Sequence, residues 1–484
     1  MGHYIGLDLG TTSITGLVLD TGSGDTLARW TVANTTETTA PSDRLVGRSE
    51  WDIDRMIGLV FEVMERLTSD ETVKIDGIGI TGQQHGMTLL DLQENPVGPF
   101  IGWQDRRCLE HSSSLETALS RMLRSGGEEF SRSEYLPARG YMGSTLFWMK
   151  ENGFLPINAQ ASFAPDYLAA KLCARSPVTD PTNAAGSGLY DVFSGEWNTA
   201  LLERLALPLS VLPEVHPSCS WIGSLAPDVA RRIGLPSGIP IANACGDNQA
   251  SFAGSVAGYG DSALINIGTG GQVSVYNERP VRIDGLLARP YLKPGYLLVG
   301  AGLTGGRAYG LFERFVQLIG DQIFGVKDTP DLFDRLNALA AQTVAGSDGL
   351  RCEPVFTGSL KEPDRRGVWQ GISDANFTPG HLTRSLLEGM AEQFHLLYQA
   401  MLANGVAART RLIGAGNGVR KNPLLSRIIA DTFSLPLRIV THSEEAAFGA
   451  ALTAAVAAGE FTDIEAAGNT VIRYNAMDAP DERP

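Results

Sequence analysis

The chain has 484 residues, 43% hydrophobic and 19% charged. That balance builds a packed core and excludes a disordered chain. At roughly 150 residues per domain the length suggests about three units, or two large ones. Lys plus Arg number 39 against 54 Asp plus Glu, a net charge of −15. So acidic a surface repels phosphate backbones and argues against a nucleic-acid partner, without barring a nucleotide from a local pocket. Cysteines stand at 108, 173, 219, 245 and 352. None pair at metal-type spacing, and their odd count suits a reduced, cytoplasmic chain. No basic leader precedes the first strand, and no apolar run reaches the roughly 18 residues of a membrane helix, so neither a signal peptide nor a membrane partner is expected. The acidic composition leaves a homodimer open.

In chain order, residues 4–10 read as an apolar strand, Gly10-Thr11-Thr12-Ser13 as a turn and residues 14–19 as the return strand of a hairpin. Asp52 caps a helix whose stripe is Ile53, Ile57, Phe61, Met64 and Leu67. Residues 73–81 read as a buried strand, and residues 105–200 are less regular. Pro236-Ser237-Gly238-Ile239-Pro240 breaks any helix, which suggests a boundary at 241/242. The opening shape then recurs: residues 263–267 lead into Gly268-Thr269-Gly270 and a second strand, with Asn266 in the place of Asp8. Two related halves, 1–241 and 242–484, account for this. A long helix follows from Thr378-Pro379 to Gly405. After it come a strand at 411–413, a helix at 423–433, a strand at 437–440 and an Ala-rich helix at 444–458. The last ten residues read as a frayed tail. Alternation of this kind means an α/β fold.

No Gly-Lys dipeptide occurs, which excludes a Walker A loop. Gly300-Ala301-Gly302-Leu303-Thr304-Gly305 matches GxGxxG, but it lies deep in the chain and no acid-ended strand follows, so a dehydrogenase is disfavoured. The Gly10-Thr11-Thr12 turn offers N–H and hydroxyl donors to a phosphate. A carboxylate beside a phosphate is repulsive unless a cation bridges them, so Asp8 suggests Mg²⁺. Gly268 and Thr269 could clamp the same phosphates; the bland reading of each turn is a plain hairpin. Asp247 follows a strand and could act as general base towards a hydroxyl, or simply cap the helix that starts at Asn248. Gln83-Gln84-His85 between glycines, and Trp103-Gln104-Asp105, suit a polyol site. Their bland reading is an interior histidine and an ion-pair cluster.

In their order along nearly the whole chain, these residues resemble the FGGY family of carbohydrate kinases. Residues 8–13 resemble the first phosphate motif and residues 81–86 the sugar-contacting segment, with Gln84 where the pattern has Met. Asp247 falls on the catalytic base, residues 268–270 on the second phosphate motif and residues 414–418 on the adenosine motif. Residues 445–451 match the small-residue helix behind it.

The resemblance implies two actin-like (ribonuclease H-like) ATPase domains with a cleft between them, closing to exclude water. It implies an ATP-dependent kinase with Mg²⁺. Asp247 would be the base and Asp8 would hold Mg²⁺ directly or through water. Gln83, Gln84, His85, Trp103, Asp105 and Asp247 would contact a small-molecule sugar. Gly10, Thr11, Thr12, Ser13, Gly268, Thr269, Gly306, Gly416 and Asn417 would bind ATP. Residues 83–91, 303–306 and 414–425 resemble ketose kinases of the sedoheptulokinase and xylulokinase kind, so the expected acceptor is a terminal hydroxyl of a ketose, sedoheptulose first. The other readings carried forward are xylulose, ribulose or glycerol as acceptor, a non-kinase actin-fold ATPase, and a sugar-binding regulator.

Overall fold

The computed structural model describes residues 1–68, 73–111, 116–132, 136–356 and 364–475. Nearly all of the expected tail lies outside them. The elements that position the site are, in chain order, β1 (His3–Leu9), β2 (Ser13–Asp20), β3 (Thr26–Ala33), α1 (Ile53–Leu67), β4 (Gly77–Gly82), α2 (Pro181–Ala185), β5 (Pro240–Ala242) and α3 (Asp247–Ala253). There follow β6 (Ser262–Ile267), β7 (Gly270–Asn277), β8 (Tyr296–Thr304), α4 (Gly306–Phe324), α5 (Pro379–Ala403), β9 (Arg411–Ala415), α6 (Asn417–Arg420), α7 (Pro423–Phe433), β10 (Leu437–Ile439) and α8 (Glu445–Ala457).

The chain forms two compact units. The first comprises Met1–Ala257, Arg289–Tyr296 and Glu444–Ile472; the second comprises Gly258–Ala288, Leu297–Ser443 and the segment from Arg473. The 241/242 boundary drawn from the sequence cuts ahead of α3, which the structure keeps with the first unit. Two later segments also return to that unit, an exchange that no local composition signals.

In the first unit the strands run β5-β4-β1-β2-β3. β1 pairs antiparallel with β2 and parallel with β4. The second unit repeats the plan as β10-β9-β6-β7-β8, with β6 antiparallel to β7 and parallel to β9. Asp8 faces Thr15 across the first hairpin, and Asn266 faces Gln272 across the second. The repeat read from two Gly-Thr turns is therefore a repeat of whole sheets, of the order expected for an actin-like fold.

Helix α1 shows why its sequence folds as it does. Asp52 accepts the Arg55 N–H at 3.0 Å, one of the donors a helix start leaves open. Ile53, Met56, Ile57, Val60, Val63, Met64 and Leu67 bury one face, which packs in the core around Ile5, Leu7, Ile14 and Ile78. The second core gathers Ile265, Val273, Leu298, Met390, Phe394, Leu412 and Ile429. Thr378 caps α5 through the His381 N–H.

The Ala-rich α8, which sequence order attaches to the second half, packs on the first unit's sheet. A Cβ on Gly6 would lie 1.8 Å from the Ala447 carbonyl oxygen, and one on Gly79 would lie 1.7 Å from that of Ala450. Glycine on the strands and small residues on the helix let the two backbones touch. The GxGxxG segment is strand β8 running into α4, not a dinucleotide turn.

Candidate active site

The first hairpin turn is pinned from β3. Asn34 N donates to the Thr12 carbonyl at 2.9 Å, and its Nδ2 to that of Gly10 at 3.1 Å. Thr11, Thr12 and Ser13 stay at least partly accessible. Thr11 Oγ1 donates to Gln83 Oε1 at 3.3 Å and accepts from Trp103 Nε1 at 2.9 Å. Turn, sugar segment and tryptophan, far apart in sequence, are thus one connected group. Gln83 is buried, and its Nε2 has no hydrogen-bond partner among the described residues. A buried amide donor left open is costly, so this nitrogen is a place for an acceptor such as a sugar oxygen.

Asp8 and Asp247 are both in the first unit. Asp8 is the last residue but one of β1, and burial, then the charges of Asp247 and Glu444, push its carboxyl up to about 7. Asp247 is the first residue of α3, with Gly246 at the N-cap position. Burial pushes its carboxyl up to about 6, opposed by the Arg289 charge and by the N–H groups of Asn248 and of Asp247 itself. The helix thus starts on Asp247, one residue earlier than the capping reading placed it.

His85 has φ 80, a left-handed backbone that a non-glycine residue adopts only under constraint. It stacks on Tyr141 at 4.1 Å between ring centroids. Its Nδ1 lies 2.7 Å from the Gly186 carbonyl oxygen. A carbonyl only accepts, so Nδ1 carries the proton and the neutral ring keeps Nε2 as an acceptor. Burial, then the Arg289 charge, hold His85 down to about 3, against the bond to Gly186.

Two expected sugar contacts sit differently. Asp105 is buried; its Oδ1 accepts from Arg107 N and Nε, and its Oδ2 from Ser49 N and Arg107 NH2, all within 3.0 Å. Its four acceptor positions are filled by protein donors, which anchors the Trp103 loop. Gln84 is likewise spent on protein, donating to Thr182 O and Gln249 Oε1 and accepting from Arg289. Motif reading missed Arg289, Gln249 and Thr182. The only local signal was Asp180-Pro181, a capped helix start for α2: Asp180 Oδ1 accepts the Asn183 N–H at 2.9 Å.

In the second unit the β6–β7 turn docks on the start of α4. Gly306 N donates to the Gly268 carbonyl at 2.9 Å and Arg307 N to that of Thr269 at 3.0 Å. Thr269 is exposed at the tip. Gly416 has φ 81, and a Cβ there would lie 2.5 Å from the Ile267 carbonyl oxygen. Only glycine lets the loop before Asn417 lie so close to the end of β6. The structure thus brings Gly268, Thr269, Gly306, Gly416 and Asn417 to one end of β6. A cavity of about 1360 Å³ in this unit is lined by Thr304, Arg384, Glu388 and Arg427 but by none of those five residues. It is distinct from the motif cluster.

The chain matches the N-terminal domain of the FGGY family of carbohydrate kinases over residues 3–254 and its C-terminal domain over residues 263–458. It is 29% identical to the sedoheptulokinase of Mus musculus, over 93% of this chain and 96% of that protein. It is 27% identical to the xylulose kinase of Staphylococcus xylosus, over 100% and 96%. The crystal structure of xylulose kinase from Rhodospirillum rubrum superposes with a TM-score of 0.85 at 24% identity, covering 99% of this chain and 94% of that one, a likeness of fold. Among the described residues no helix is long and apolar enough to cross a membrane.

Proposed function

We propose, from the premise that the chain belongs to the FGGY family of carbohydrate kinases and is an ATP-dependent sugar kinase, that it phosphorylates a terminal hydroxyl of a ketose, sedoheptulose first, with Asp247 as general base. The observation that carries this is the pair of carboxylates in one unit with unequal surroundings: Asp247 has Arg289 acting on it, while Asp8 feels the acids Asp247 and Glu444. Asp247 is mostly ionised at neutral pH. It takes the hydroxyl proton as that oxygen bonds to the γ-phosphorus and ADP leaves with the bond it breaks. Gln83 Nε2 and His85 Nε2 offer a donor and an acceptor to the sugar's hydroxyls. Thr11, Thr12 and Thr269 supply hydroxyl and N–H donors for phosphate oxygens, and Gly416 and Asn417 border the adenosine. The mouse sedoheptulokinase similarity and the Gln83–His85 segment support the ketose.

Asp8 is the residue that would hold magnesium. Its carboxyl is raised first by burial and then by two neighbouring acids, a charge excess that a cation relieves. Among the described residues no three metal-ligating side chains gather, which fits an ion completed by water and substrate phosphates rather than by a protein cage. When bound, it supplies neutralising charge to the phosphates.

A coupled ADP-release assay over sedoheptulose, xylulose, ribulose, fructose, glycerol and gluconate tests the reading. Turnover should depend strictly on added sugar and be highest in kcat/KM for a ketose. Turnover with glycerol alone would overturn the acceptor assignment, and ATP hydrolysis independent of sugar would overturn coupling to a base.

A further inference from the structure

Three side chains, only one of them in a motif, close a ring beside the Asp247 turn. Arg289 NH1 donates to Gln84 Oε1 at 2.8 Å. Gln84 Nε2 donates to Gln249 Oε1 at 3.0 Å and to the Thr182 carbonyl at 3.2 Å. Gln249 Nε2 donates to the carbonyl of Pro290 at 3.2 Å, and Pro290 follows Arg289, so the ring closes on itself. Thr182 Oγ1 accepts the Gly246 N–H at 2.8 Å. All four side chains are buried, none more than 8% exposed.

The direction of every bond is forced. A guanidinium only donates, so the Gln84 oxygen must face Arg289 and its nitrogen must face Gln249 and Thr182; the Gln249 nitrogen must then face Pro290. The ring presses on Gly246. A Cβ there would lie 1.8 Å from Gln84 Nε2 and 2.7 Å from Gln249 Oε1. Gly246 immediately precedes Asp247 and is the N-cap residue of its helix. The start of α3 is therefore held by the Gln84 amide on one side and by Thr182 on its N–H. Gln249, two residues on in the same helix, is held by the same amide.

We propose that Gln84, Arg289 and Gln249 act as one positioning unit that fixes the Asp247 carboxylate for proton abstraction, and that Gln84 is not a sugar contact. The proposal rests on Asp247 being the base. A base displaced by about 1 Å costs on the order of 10²-fold in rate, whereas binding of ATP at the phosphate turns does not involve this ring.

The test compares Gln84→Met, Arg289→Met and the double variant by steady-state kinetics, with Asp247→Asn alongside. Met keeps the shape of Gln without its hydrogen bonds. Each single variant should lose roughly 10- to 10²-fold in kcat, with KM for sugar and ATP changed by no more than about threefold. The double variant should be no worse than the poorer single one, because the ring breaks once. Arg289→Lys, which keeps a donor, should recover part of the loss. A rise in sugar KM at unchanged kcat in Gln84→Met would make Gln84 a sugar contact and overturn the proposal. So would multiplicative losses in the double variant. If Arg289→Met does not fold, Gln84→Met with Gln249→Met forms the same cycle. Turnover retained by Asp247→Asn would refute the base reading itself; a dead Asp247→Asn beside a normal Gln84→Met refutes only the ring.

Discussion

Lowering the pH should titrate the proposed base before it harms the rest of the site. Burial lifts the Asp247 carboxyl to about 6, and Arg289 stops it going higher. With that value about nine-tenths of Asp247 is ionised at pH 7 and about one-tenth at pH 5, so kcat/KM for sugar should fall roughly tenfold between them. His85, held down to about 3, stays neutral throughout and contributes nothing to the limb. Asp8, raised to about 7, titrates in the same region. Saturating magnesium should keep it ionised, because the cation competes with the proton, and the assay is run there. Asp247→Asn should lower kcat by roughly 10²–10⁴ and abolish the limb. ATP binding should be nearly unchanged, as read by fluorescence of a nucleotide analogue. A wild-type rate flat from pH 7 to 5, or a limb that persists unchanged in Asp247→Asn, would refute the assignment.

Trp103→Phe removes the indole donor to Thr11; at a site this accessible the loss should be about 0.5–1 kcal/mol, seen as a two- to fivefold rise in KM with kcat held. A collapse of kcat at unchanged KM would instead place Trp103 in the chemistry. Gly79→Ala would put a Cβ 1.7 Å from the Ala450 carbonyl oxygen. With backbone on both sides the cost should reach the upper part of the usual overpacking range, about 3 kcal/mol or more, and appear as a clear drop in the thermal midpoint by calorimetry. An unchanged midpoint would contradict the close contact of α8 with β4. Stability should also rise on mild acidification. Asp166 and Asp180 are buried, and burial raises both carboxyls, Asp180 to about 6 and Asp166 well above the usual range. The folded state therefore holds protons that the unfolded chain releases between about pH 4 and the folded pKa values, so unfolding free energy falls as pH rises through that window. The thermal midpoint should climb from pH 7.5 to 5.5, less so in Asp166→Asn; a midpoint that falls over this range would refute the sign.

What the sequence made legible was local. Caps at Asp52 and Thr378, the stripe of α1 and the strand–helix alternation after residue 378 depend on neighbours within a turn or two, and the structure has them within a few residues. The two hairpins were legible because Gly-Thr turns punctuate them. What was hidden depends on contacts across the chain. No spacing rule tells that α8 returns to the first sheet, because the signal is a match between Gly6 and Gly79 on strands and Ala447 and Ala450 on a helix several hundred residues away. Asp105 looked available because an acid after a tryptophan is polar and loop-borne; that its four acceptor positions are filled depends on Arg107 and on Ser49. Gln84 reads as a polyol contact because glycines bracket its polar segment after a buried strand; its bonds to Thr182, Gln249 and Arg289 come from segments far along the chain, which no local pattern signals.

The unequal surroundings of the two acids also support the proposed division of roles without appeal to position in a motif. A base must be ionised at working pH yet basic enough to accept a proton, which favours a carboxyl near 6 with a cation acting on it. Asp247 meets both conditions through burial and Arg289. A cation holder needs excess negative charge that the ion itself compensates, and Asp8, raised by burial and then by the charges of Asp247 and Glu444, fits that. Exchanging the roles fails on both counts. Asp8 as base would be about half protonated at pH 7 without a cation and neutralised with one. Asp247 as metal holder would place the ion against Arg289. On the proposed roles, the net charge of −15 makes no difficulty for an anionic nucleotide: Asp8 would recruit a cation, and Asp247, on which the Arg289 charge acts, would be left to take the proton.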